Sequence, residues 1–238
     1  MTLRAQAYDA FTRHLLARRL LPGQFVTQRD LAALVGFPLG AIREMIPRLE
    51  AEGLVRTLAQ RGLQIVGSDP RLIRDAFNLR EIIESEALVQ FIRSAPDALI
   101  EDLVAAHAGI EAATREGPVD AALVERAQAV DWRLHDAMIE HMNNALIQDV
   151  HRVNAIRIRI IMYDRVTLSP DSLGPALREH RPILLALQNR DPAAGLAALK
   201  AHLASARRRA LSLDDDAPAT ATATATTTAT ATATHQAA

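Results

Sequence analysis

Asp131 and His135 stand four residues apart, a spacing that puts both side chains on one face of a helix. Val124, Ala127, Leu134, Met138 and Met142 form an apolar stripe along the same stretch, and Asp131 and His135 fall on it. His180 lies among Leu177, Ile183, Leu184 and Leu187, and His202 among Leu196, Leu199, Leu203 and Ala206. All four polar groups are therefore expected to point inward, where an unpaired carboxylate is expensive. Three imidazoles and a carboxylate can neutralise one another around a divalent cation. That donor set suits zinc first, with nickel, iron or manganese also fitting. The alternative is a buried hydrogen-bonded network without metal. His107, His141 and His151 fall outside the pattern and are expected at the surface or as caps, while Trp132 and Tyr163 read as packing residues.

Helices must carry these groups. From Arg71 to about Leu213 the periodicity predicts helices over 71–94, 97–115, 120–142, 145–167, 172–189 and 191–212, separated at Pro96, Gly117-Pro118, Ser169-Pro170 and Asp191-Pro192. Short connections between six helices imply an antiparallel bundle. The Ala-Thr repeat beyond Asp216 has no large apolar residue with which to build a core, so 214–238, including His235, is expected to be a disordered tail.

The first 68 residues read differently. An apolar helical pattern over 8–20 stops before Leu21-Pro22-Gly23. Thr27 and Asp30 are placed as a capping box for the short helix QRDLAALV, which halts at Gly36. A second helix follows over 39–52 with Ile42, Met45, Ile46 and Leu49 on one stripe, and Pro47 inside it should kink it or remove a hydrogen bond. After Gly53 the period changes to two. Residues 54–57 and 63–66 read as strands joined through Ala59-Gln60-Arg61-Gly62. Helix, helix, turn, helix, hairpin is the order of a winged helix-turn-helix. The expected division is 1–68 for a DNA-binding domain, 69–213 for an all-helical sensing domain, and 214–238 for the tail. The fold class is mainly α, with an α+β winged helix followed by the bundle.

Charge agrees with this division. The formal net charge is −1, but residues 1–68 carry nine arginines against five acids. Residues 69–213 carry 18 Lys or Arg against 20 acids. A basic segment beside a near-neutral one fits a DNA-reading module joined to a sensor. The absence of cysteine excludes disulfides and thiolate ligation. No apolar run reaches the ~18 residues of a membrane span, and the first residues lack the layout of a signal peptide. A cytoplasmic protein without membrane contact is expected.

The pattern L-x-PG-x-x-V-T-x-R-D-LA-x-x-x-G-F, then A-I-R-E with EGLV, then R-G, resembles the GntR family of regulators. The helical remainder is similar to the FCD, or FadR-type, branch of that family. Its marks are R-x-x-I-E-x-x-A at 80–87, D-x-x-L-H at 131–135, N-x-x-L at 143–146, E-H-R-P-I at 179–183, and His202. The intervals of 4 and 22 residues, from 131 to 135 and from 180 to 202, match the metal-binding FCD pattern. The resemblance implies DNA contact by Arg29, Arg43 and the wing-tip pair Arg61-Gly62. It implies Asp131, His135, His180 and His202 as metal ligands. It also implies Arg80 and Asn143 as effector contacts, against plainer roles in a salt bridge with Glu84 and in a helix cap. The sequence departs from the family at Pro38-Leu39-Gly40-Ala41, where Ser or Thr and Arg are usual, and at Gln28, where Glu is usual. Relatives' operator sequences therefore do not transfer.

The expected function is a homodimeric regulator, a repressor, on a palindromic double-stranded DNA operator. A small organic or sugar acid would bind the metal-containing domain and alter operator affinity. An activator, or a DNA-binding protein whose metal only staples the bundle, is the alternative. No catalytic residue is assigned: a metal-dependent enzyme would need a general base that the ligands do not supply, and would not explain the winged helix.

Overall fold

The computed structural model describes residues 1–165 and 170–212, and the side chains of these except 165, 170–176 and 212. The expected tail over 214–238, with His235, lies outside the described residues.

Helix α1 spans Leu3–Leu16, α2 Gln28–Val35 and α3 Leu39–Ala51. The α1 start precedes the expected residue 8 because the Thr2 side chain caps it, accepting from the Ala5 amide. It ends earlier than expected because Arg18 takes a left-handed φ of 57°. The Thr27–Asp30 capping box forms, and Gly36 closes α2 in the left-handed region. Helix α3 runs through Pro47 without ending, and Pro47 is exposed. The stripe Ile42, Met45, Ile46 and Leu49 is buried, and this packing holds the helix together across the missing amide.

The wing contains one strand more than the sequence pattern shows. Strand β1, Phe25–Val26, pairs antiparallel with β3, Gly62–Ile65, which also pairs with β2, Val55–Leu58, giving the order β1-β3-β2. Two residues are too few to display a period, so β1 is visible only through its register, Phe25 opposite Gln64 and Val26 opposite Leu63. Gly62 has φ 85°, and a Cβ there would stand 2.8 Å from the Val26 carbonyl oxygen. The close approach of β1 therefore requires glycine.

Six longer helices follow: α4 Pro70–Ser94, α5 Asp97–Glu116, α6 Ala121–His141, α7 Ala145–Arg165, α8 Pro170–Gln188 and α9 Pro192–Ser212. Asp69 and Asp120 cap α4 and α6 with their side chains. Helix α4 packs against α6, α7 and α9, and α5 against α6 and α8. A core of Leu88, Phe91, Leu103, Leu134, Met138, Ile183 and Leu199 lies among them. Helix α7 also faces the other way: its Ile156 and Ile160 join the core of the winged helix with Tyr8, Phe11 and Leu49.

Candidate metal centre and DNA-reading face

Helices α6, α8 and α9 each deliver one histidine to a common point. One ligand nitrogen each from His135, His180 and His202 lies within 4.8 Å of the others, and all three residues are buried. His180 Nε2 is 3.3 Å from His202 Nε2 and 3.3 Å from Asp131 Oδ1. Asp131 does not share the full convergence. It stands outside the 4.8 Å group, and its side chain is 28 % exposed rather than turned fully inward. Its apolar neighbours do not settle its depth, because a residue at the edge of a stripe can face either way.

The outer faces of two of these rings are fixed by carboxylates. His135 Nδ1 is 2.8 Å from Glu84 Oε2, and His202 Nδ1 is 3.1 Å from Glu179 Oε2. Burial alone would raise the Glu84 carboxyl, but the Arg80 guanidinium and His135 outweigh it and hold Glu84 well below the usual range. Burial likewise opposes ionisation of Glu179, yet hydrogen bonds from His202, Arg209 and Ser205 bring it down to about 2. Ionised carboxylates accept, so His135 and His202 each donate from Nδ1 and turn Nε2 toward the centre. Burial lowers His135, and lowers His180 further with help from the neighbouring imidazoles.

This arrangement fits a divalent cation. His135 Nε2 is buried with no hydrogen-bond partner among the described residues, a costly state for an isolated nitrogen. Two imidazole nitrogens at 3.3 Å repel unless a proton or a cation lies between them. His135, His180 and His202 would supply three neutral nitrogen ligands and Asp131 a carboxylate at the rim, with Glu84 and Glu179 orienting two rings.

Arg80 is buried beside this cluster, its Nε 2.7 Å from Glu84 Oε1, so the salt bridge read from the four-residue spacing is present. Its Nη2 is buried without a partner among the described residues. The cavity next to it, lined by Arg80, Glu84, Trp132, His135 and Asp136, has a volume of about 10 Å³, room for no more than a water. An open groove of about 540 Å³ shares Trp132 and Asp136 with this cavity and reaches Arg159 and His141. Asn143 is exposed at the α6–α7 joint, with φ 48° and its amide donating to the Glu140 carbonyl. It follows the end of α6 and is exposed, whereas the three histidines are buried. Asn144 makes the cap there, accepting from the Leu146 and Ile147 amides.

His107 corrects the expectation of a surface or capping role: it is 2 % exposed, and its Nε2 lies 3.1 Å from His180 Nδ1. Its burial was legible in the apolar residues Leu103 and Ile110 on either side of it on α5, although its partner was not. Glu179 carried no such signal. His141 meets Ser94 and stacks edge-on with Phe91, while His151 meets Asp136 and lines the small cavity beside Arg80 and His135.

On the winged helix, Arg29, Arg43 and Arg61 are all exposed. Arg43 Nε donates to Gln28 Oε1 at 3.2 Å, tying α3 to the start of α2 and leaving the other guanidinium nitrogens outward. The far end of α3 is bound to the bundle. Glu52 accepts from Tyr8 and from Arg152 of α7 at 2.5 and 3.3 Å, and its carbonyl accepts from Arg157 at 2.5 Å. Two further α7–α6 contacts reach Asp136, the residue after His135: His151 at 3.1 Å and Arg159 at 2.8 Å.

The sequence model for bacterial regulatory proteins, gntR family, matches residues 3–65, and that for the FCD domain matches residues 75–205. An uncharacterised HTH-type transcriptional regulator in an unstable DNA locus of Streptomyces ambofaciens is 27% identical over 206 residues, covering 85% of this chain and 82% of that protein. Among solved structures, E. coli McbR/YncC superposes with a TM-score of 0.73 at 15% identity, over 90% of this chain and 99% of that one. A GntR transcriptional regulator from Rhodococcus sp. RHA1 gives 0.70 at 18%, over 87% and 98%. The FCD domain of TM0439, described as metal-free, gives 0.50 at 18%, over 61% and 96%. No helix among the described residues is long and apolar enough to cross a membrane.

Proposed function

The chain belongs to the GntR family of transcriptional regulators and carries an FCD domain, and from that premise we propose that it is a cytoplasmic, homodimeric repressor controlled through a metal centre. Residues 1–68 form the DNA-reading unit, 69–213 the sensor and 214–238 the tail. Arg43 addresses a base edge or phosphate, Arg29 the backbone, and Arg61 on the Gly62 turn the flanking groove of a palindromic operator. His135, His180, His202 and Asp131 hold a divalent transition metal, zinc first. The observation that carries this reading is the convergence of the three histidine nitrogens on one point, with His135 Nε2 buried and unsatisfied.

A small organic or sugar acid places its carboxylate on the metal and on Arg80 Nη2, entering from the groove lined by Trp132 and Asp136. Support for a link to DNA comes from the middle of α7, where His151 and Arg159 hold Asp136 while Arg152 and Arg157 hold Glu52 at the end of α3. A shift of α7 would tilt the head, and two heads must match half-sites about one helical turn apart.

Elemental analysis of desalted protein tests the centre. About one metal per chain in the parent and far less in His180→Ala and His202→Ala is expected. No metal in the parent, even after incubation with zinc, nickel and manganese, defeats the reading. Operator binding by the metal-loaded protein is then measured across carboxylic acids, and an acid that binds without changing DNA affinity defeats the switch. The water-sized cavity beside Arg80 favours a second reading, in which the metal only staples the bundle. Metal-dependent stability with no response to any acid would select it.

A further inference from the structure

His107 lies on α5, outside every motif that points to the cluster, yet it touches the cluster's central imidazole. Its two ring nitrogens have different partners. Nδ1 is 2.8 Å from the Leu103 carbonyl oxygen, one turn back on α5. A carbonyl only accepts, so Nδ1 carries a hydrogen. His107 and His180 are both buried, 2 % and 0 % exposed, and a buried imidazole is favoured as the neutral ring. A neutral His107 protonated at Nδ1 has a bare Nε2, which accepts across 3.1 Å from His180 Nδ1. His180 therefore donates from Nδ1, and its own Nε2 is left bare. That nitrogen faces His202 Nε2 and Asp131 Oδ1, each at 3.3 Å.

We infer that His107 is a positioning residue of the metal centre, fixing His180 through a relay from the Leu103 carbonyl in the tautomer whose Nε2 lone pair is directed at the cation. The inference rests on the metal reading above. Glu84 and Glu179 orient His135 and His202 with negative charge. His107 orients His180 as a neutral acceptor, so it fixes a third ring without adding a third anion behind the centre. It also ties α5, which contributes no ligand, to the centre.

The test is zinc affinity of the full chain against a competing chelator in the parent, His107→Phe and His107→Gln, with histidine-ring 15N–1H spectra of the zinc-free proteins. Removing an orienting partner costs about 10–100-fold in metal affinity, and that loss is expected in His107→Phe. His107→Gln is expected to recover most of it, because its amide oxygen can accept the same N–H. The zinc-free parent is expected to show His180 protonated at Nδ1, and His107→Phe a mixture of tautomers, which loosened packing alone does not produce. Equal zinc affinity in the parent and His107→Phe, or His180 protonated at Nε2 in the parent, overturns the relay and leaves the metal centre standing. Equal weakening in both variants overturns it too, as a packing effect. A parent that binds no more zinc than His180→Ala overturns the metal reading, whatever the tautomer of His180.

Discussion

In the winged helix the arginines proposed to meet DNA are exposed, whereas in the helical domain the polar groups of the histidine cluster are buried and interlocked. Arg29, Arg43 and Arg61 are exposed to solvent, and under the proposed function each would act on DNA as an individual charge. Arg80, Glu84, His135, His180 and His202 are almost wholly out of water, and each depends on the next. An exposed side chain of this kind can be changed without stranding a buried neighbour. The centre can change none without leaving another group unsatisfied.

This contrast predicts unequal costs. Glu84→Gln leaves the Arg80 charge buried without its carboxylate and His135 without its anionic partner. A loss of about 3–5 kcal/mol is expected, read from urea unfolding of metal-free protein, and an unchanged midpoint would break the picture of an interlocked core. The pH dependence is next. His107, His135 and His180 all titrate below the ordinary 6.5 in the folded chain. Between 6.5 and their folded values the unfolded chain binds more protons. Stability of the metal-free protein is thus full above pH 6.5 and falls as pH drops toward 5, by up to about 1.4 kcal/mol per pH unit for each histidine. A flat profile over that window would mean that these rings are not buried as neutral groups.

On the head the effects are smaller and independent of metal. Arg43→Ala is expected to weaken operator binding by about 1–3 kcal/mol. If the loss is uniform across DNA sequences and the salt slope falls by about one, Arg43 meets a phosphate; if specificity relaxes at one base pair, it reads a guanine. Gly62→Ala, at φ 85° and against the Val26 carbonyl, should cost about 1–2 kcal/mol of stability, and wild-type stability would contradict the close approach of β1. Smallest of all, Asn143→Ala should change acid-dependent operator binding by less than about 0.5 kcal/mol. A large effect there would return Asn143 to the effector site despite its exposed position.

Much of the head was legible because its signals are local. The Thr27–Asp30 box, the Gly36 stop and the glycine at the wing are set by neighbours within a few residues, and α2, α3 and the hairpin follow from them. Strand β1 escaped because two residues have no periodicity, and the α1 start because its cap lies in a polar stretch. In the bundle, helix spans and the inward histidines were readable from apolar stripes. The partners were not: a stripe says that His180 is buried, never that it faces His107, a residue expected at the surface.

The sequence by itself determined the order of a winged helix and a helical bundle, the inward placing of His135, His180 and His202, and the four-residue spacing that pairs Arg80 with Glu84. These depend on period, composition and separations of four residues or fewer within one helix. Only the tertiary structure decided that Asp131 is partly exposed, that Glu84, Glu179 and His107 lie against the histidine rings, and that α7 contacts both Glu52 and Asp136. Those pairs lie on different helices. Their meeting depends on how the helices cross, which is settled by packing of the whole core rather than by any local rule.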